Sequence, residues 1–172
     1  MKRRVQFITY GLYAILLIGA FVFQDMIFPY IRIAGLSPLI LPLVVAGVAV
    51  SQGRLAGGIV GIFAGIMCDL SLNEPVGLFV VLLTFSGLLI GTLADSIVSG
   101  SFAAYFLFCV GVLVLVAIAQ IIPIYLSGVF PNELIMTAVW QTVYSLVFSV
   151  PVWFFVKGIE RRIDRAMPTG KA

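Results

Sequence analysis

The chain alternates long apolar stretches with short polar breaks, giving six apolar segments at residues 5–28, 36–50, 55–70, 76–94, 102–126 and 134–156. A helix needs about 20 apolar residues to cross the hydrocarbon of a bilayer. The pattern therefore predicts an all-α, polytopic membrane protein with six transmembrane helices over residues 1–156. The second and third segments are short and are joined by Ser51, Gln52, Gly53 and Arg54. That junction fits a tight pair of short helices or a re-entrant hairpin, and Pro38 and Pro42 suit the entry and kinking of the second segment. After the last segment, Ile159, Ile163 and Met167 recur every four residues while Arg161, Arg162, Asp164 and Arg165 take other faces. Residues 157–172 are thus expected to form a basic juxtamembrane tail on the cytoplasmic surface, with Lys157, Arg161, Arg162 and Arg165 toward the headgroups.

Composition supports a bilayer as the solvent. Hydrophobic residues make up 62% of the chain, charged residues 10%, and mean hydropathy is +1.21, where soluble domains carry about a quarter charged residues. The formal net charge of +3 resides at the ends, in Lys2, Arg3 and Arg4 and in the tail, so it marks no nucleic-acid surface. The start resembles a signal peptide, but no small-x-small cleavage site follows Phe23 and five apolar segments come after it; it reads as an uncleaved signal anchor. With six spans and a cytoplasmic start, Arg54 and the tail fall inside and Arg32 alone outside, so nine of the ten basic residues obey the positive-inside rule. An odd number of spans would put the basic tail outside.

Chemistry is sparse. Histidine is absent and there are two cysteines, Cys68 and Cys109, which removes the commonest general base and every zinc constellation. The topology sets the two cysteines in opposite leaflets as packing thiols. Asp69 and Asp95 end successive helices on opposite sides, about 30 Å apart, too far to share a proton as an aspartyl dyad does. Connecting loops are short, and no catalytic set is assembled. The expectation is a protein that is not an enzyme and holds no cofactor or metal.

One stretch stands out, Gly57 to Leu78. Gly57, Gly61 and Gly65 repeat every four residues and the step continues to Asp69. In a membrane such a stripe lets another helix approach to backbone contact, whether that helix belongs to this chain or to a partner. Asp69 falls at the outer end of its helix, where a carboxylate fixes the register of that contact through a hydrogen bond or a charge pair. The same topology brings Gln24, Asp25, Arg32, Asn73 and Glu74 to the outer side, with Glu133 at the start of the sixth helix. Solvation at the interface is the expected state of Asp25, Glu74 and Glu133, and Pro75 with Gly77 restarts the chain into helix four.

Gly57, Gly61, Gly65, Asp69, Leu70 and Gly77, preceded by "LSPLILPLVVAGVAV" and by Gln24, resemble the MreD family, integral-membrane rod shape-determining proteins of bacteria. The resemblance extends to chain size, six helices, Pro151 in the last helix and the basic tail. It implies a non-enzymatic scaffold of the elongasome in the inner membrane, with both termini cytoplasmic. Such a scaffold binds the single-span protein MreC and couples cytoplasmic MreB to the periplasmic peptidoglycan synthases. It also implies a bundle similar to the substrate-binding subunits of energy-coupling-factor vitamin transporters. A second reading follows from that similarity: a subunit capturing a small metabolite in a pocket lined by the outer polar residues. Against it, those subunits share an Ala-x-x-x-Ala stripe on helix one, whereas here Ala14 is followed four residues on by Ile18 and Ala20 by Gln24.

The six-span topology is checked by labelling. With Cys68 and Cys109 replaced by alanine, a cysteine introduced at Asn73 reacts with a membrane-impermeant maleimide in intact spheroplasts, and one at Gln52 does not. Equal labelling of both sites contradicts the topology.

Overall fold

From Leu41 to Val50 the sequence is apolar at every position and shows no polar face; a helix of that kind is enclosed on all sides. The computed structural model, which describes residues 2–27, 38–72, 77–97, 101–126 and 132–166, forms this run into α2 (Leu41–Gln52), buried throughout from Leu41 to Val50. Five helices surround it: α1 (Lys2–Val22, continued by a π-helical turn Phe23–Ile27), α3 (Arg54–Leu72), α4 (Leu78–Ile97), α5 (Phe102–Leu126) and α7 (Ser149–Ala166). Each touches α2, and α1 meets α3, α3 meets α4, α4 meets α5, α5 meets α7 and α7 returns to α1, closing a ring. The remaining helix, α6 (Asn132–Val147), packs on α5 and leads into α7. No strand occurs among the described residues.

Three described stretches are long and apolar enough to cross a membrane: Arg54–Ser71, Phe102–Ile122 and Met136–Arg162. The stretches Gly11–Met26, Leu41–Gln52 and Leu78–Ala94 are apolar but shorter. At 1.5 Å per residue, α2 is about 18 Å long against about 30 Å of hydrocarbon. Its sheath of helices, not lipid, is its solvent.

Burial of α2 creates a demand at its N-terminus, where the first amides of a helix lack intrahelical acceptors. Ile40, at the cap position, offers no side-chain acceptor. The donors are met from elsewhere in the chain. Ser145 Oγ on α6 accepts from Leu39 N at 2.9 Å, and Gln24 Oε1 in the π-helical turn accepts from Ile40 N at 2.9 Å and Leu41 N at 3.3 Å. Pro42 has no N–H to satisfy, and Leu43 N and Val44 N reach Ile40 O at 3.0 and 3.1 Å. At the other end Gly53, with φ 80°, turns the chain into α3 in a conformation that disfavours a side chain. Segments two and three are thus a tight helical pair.

Two boundaries differ from the sequence expectation. Segment 134–156 is not one helix but α6 and α7, interrupted at Phe148. Pro151 has no N–H for Val147 O and its ring crowds that turn, while Ser145 and Ser149 hydroxyls bond back to Gln141 O and Leu146 O, which bends helices. The tail also is not a separate helix: α7 runs from the last apolar segment through residue 157 to Ala166. Side-chain contacts hold that continuation. Glu160 Oε2 pairs with Lys157 Nζ at 2.8 Å and accepts from Ser51 Oγ at 3.3 Å, and Lys157 Nζ lies 5.0 Å from the Trp153 ring centroid. Trp153 in turn stacks on Tyr105 of α5 at 4.8 Å.

Ser145→Ala is expected to destabilise the bundle by about 1–3 kcal/mol, since it strands a buried amide without an acceptor. Thr142→Ala, which removes a hydroxyl bonded within its own helix to Ala138 O, should cost well under half of that. Thermal unfolding of the two variants in mild detergent makes the comparison.

Candidate functional site

The glycine stripe faces α4. A Cβ on Gly57 would lie 2.7 Å from Gly87 O and 2.6 Å from Ala49 Cβ of α2; one on Gly61 would lie 2.5 Å from Leu83 O and 2.8 Å from Thr84 Cα. One on Gly65 would overlap Val80 Cα, with Phe79 O at 2.7 Å. The obstacles are mostly backbone, so no rotamer change relieves them. Each turn down α3 meets one turn up α4 in an antiparallel register. The stripe is answered from the other side: a Cβ on Gly87 would strike the carbonyl of Gly57, and one on Gly91 the backbone of Arg54. Gly87 and Gly91 also stand four residues apart, and that step continues to Asp95 as the facing stripe continues to Asp69.

Asp69 ends the stripe and is 6% exposed. Its Oδ2 accepts from Gly77 N at 2.7 Å and its Oδ1 from Phe79 N at 3.0 Å. Gly77, at φ 103°, precedes α4, and its carbonyl accepts the first helical bond from Val81 N. A cap residue normally offers its own side-chain oxygen to the amides of the first turn. Gly77 has none, so the last turns of α3 supply the acceptor, and the carboxylate's charge also suits the positive end of the α4 dipole. Of the two means foreseen for fixing the register, the structure uses hydrogen bonds to backbone amides.

The remaining outer residues divide. Gln24, 5% exposed, is the acceptor for α2. Asp25, the next residue in the π-helical turn, accepts from the Ser71 hydroxyl at the end of α3. The wider turn sends adjacent side chains to different helices, a use consistent with π-bulges generally. Asp25 is half-buried and bonded to the fold, which corrects the expectation of simple interfacial solvation. Arg32, Asn73 and Glu74 lie outside the described residues, as does the side chain of Glu133. Ser145 is the structural residue that sequence reasoning missed; nothing in its local sequence separates it from the neighbouring hydroxyls.

In the tail, Lys157 is half-buried in the contacts described above, Arg161 and Arg162 are exposed, and Arg165 belongs to α7 with its side chain outside the description. Cys68 and Cys109 are free and fully buried. No group of three potential metal ligands occurs among the described residues. A cavity of about 10 Å³, room for about one water, lies between α5, α6 and the start of α2, lined in part by Leu39, Gln120, Gln141, Thr142 and Ser145. It does not include Asp25 or Asp69. No family model, curated protein or solved structure matches the chain.

Gly61→Ala is expected to cost about 1–3 kcal/mol as overpacking against backbone, whereas Gly11→Ala, with nothing within 4 Å, should be neutral or stabilise by up to about 1 kcal/mol through helix propensity. Asp69→Ala, which strands two amides, should destabilise by at least about 2 kcal/mol. Asp69→Asn keeps one acceptor and should fall between wild type and Ala. Detergent unfolding midpoints order the series.

Proposed function

We propose that the chain is a non-enzymatic, MreD-like scaffold of the bacterial inner membrane, with six passes and both termini in the cytoplasm. It binds an MreC-like single-span protein and joins cytoplasmic MreB to periplasmic peptidoglycan synthesis as part of the rod-shape machinery. The observation that carries this reading is the α3–α4 clasp. The residues on which the family resemblance rests, Gly57, Gly61, Gly65, Asp69 and Gly77, act together as one mechanical unit with its register fixed at one end. Such a unit supplies rigidity, which is what a scaffold requires of its interior.

The six-pass arrangement is supported by the distribution of basic residues and by the six apolar stretches. In it, α6 and α7 together make the last pass and α2, sheathed by its neighbours, needs no lipid-matching length. The likeness of this bundle to transporter substrate-binding subunits belongs to the same proposal. The transporter function itself gains nothing from the geometry: Asp69 uses both carboxylate oxygens on the Gly77 and Phe79 amides, and Asp25 accepts from Ser71 within the fold. The stripe is occupied by α4, so the MreC-like partner docks on another face of the bundle.

Affinity isolation of the tagged chain in mild detergent tests the proposal. The expected result is co-purification of a single-span protein with a periplasmic domain, in near-stoichiometric amount. Recovery of a pair of ATPase subunits in its place overturns the scaffold reading.

A further inference from the structure

The outward face of α7 changes character over two turns. Val156 is fully buried against α2, where it meets Gly47, and Val152 and Trp153 share its face. Gly158 lies two residues on, about 200° around the helix. On that outer face Phe154 and Phe155 are 71% and 65% exposed, Arg161 and Arg162 are exposed, and Gly158 sits between the two pairs. A Cβ on Gly158 would meet nothing within 4 Å. Helical side chains lean toward the N-terminus. The arginines therefore lean over the glycine, and the phenylalanines lean away from it. The result is a notch with open space at its floor, two guanidinium groups on one rim and two aromatic rings on the other.

Among the described side chains, no acid neutralises the exposed arginines of α7, and those of Asp164 and Arg165 lie outside the description. Lys157 is spent on Glu160, and neither Arg161 nor Arg162 forms an ion pair among the described residues. A matching occupant is an amphiphile with an anionic head and apolar tails. We propose that the Gly158 notch seats one anionic phospholipid, its phosphate between the Arg161 and Arg162 guanidinium groups and its acyl chains along Phe154 and Phe155. The glycine admits the glycerol-phosphate to the helix surface, and the guanidinium forks suit phosphate oxygens. This site does not depend on the scaffold reading. It differs from general attraction of a basic tail to a charged surface in requiring space as well as charge.

The test separates those two requirements. The purified protein in neutral detergent is titrated with phosphatidylglycerol, and bound lipid is counted by native mass spectrometry. One tightly retained lipid per chain is expected. Arg161→Gln with Arg162→Gln should weaken it about thirtyfold, the effect of two basic groups at an anionic surface. Gly158→Leu should weaken it to a similar degree with net charge unchanged, and an unaltered unfolding midpoint without lipid establishes that the bundle is intact. Wild-type affinity in Gly158→Leu overturns the proposal in favour of delocalised attraction. Equal retention of phosphatidylcholine overturns it by removing the role of charge, and full displacement by millimolar inorganic phosphate overturns it in favour of a free-anion site.

Discussion

A helix buried on every side must still find acceptors for its first amides, and in this protein that demand organises the bundle. α2 contributes the apolar centre, but hydrocarbon offers nothing to an N–H group. Without Gln24 and Ser145 its entry at Leu39, Ile40 and Leu41 would leave three donors unsatisfied in a dry interior. The two acceptors come from α1's π-helical extension and from α6. Satisfying the central helix thus ties the beginning of the chain to its last third.

The α3–α4 pair follows the same logic with a different geometry. Lipid provides no hydrophobic force to press two apolar helices together, so close packing must come from shape. Gly57, Gly61 and Gly65 against Gly87 and Gly91 remove the side chains that would hold the backbones apart. Asp69 then does for α4 what Gln24 does for α2, lending an acceptor to a helix whose own cap residue has none. Both acceptors lie toward the same end of the bundle, alongside the Asp25–Ser71 bond. These three polar contacts gather at one end of the bundle, where α2 and α4 begin.

What could be read in the sequence was whatever a local period encodes. The apolar segments, the glycine step and its extension to Asp69 all declare themselves within one helix. The partner of the stripe is written the same way, in Gly87, Gly91 and Asp95, but a period within one helix does not say which other helix it packs against. Gln24 and Asp25 were visible as polar residues at a helix end, but whether such groups face water or cap a neighbour depends on tertiary placement. Ser145 was hidden for the same reason: its acceptor role is set by Leu39, 106 residues away. Pro151 was noted without its effect, the break at Phe148 that divides the last segment. The tail's helical period was legible in Ile159, Ile163 and Met167, but not its continuity with the last apolar segment, since the change from apolar to charged composition alters the solvent of a helix and not its backbone.

The separation between Leu39 and Ser145 also imposes an order of assembly during synthesis. Gln24 precedes α2 in the chain and is present to take the amides of Ile40 and Leu41 as soon as they emerge. The Leu39 amide has no such provision. At roughly 5–20 residues per second, the ribosome needs about 5–20 s more to reach its acceptor. Over that interval the Leu39 amide lacks its native acceptor, and the ring around α2 closes later still, when α7 follows α6. The helix at the geometric centre of the bundle is therefore among the last to be completed, because both its acceptor Ser145 and the enclosing α7 come late in the chain.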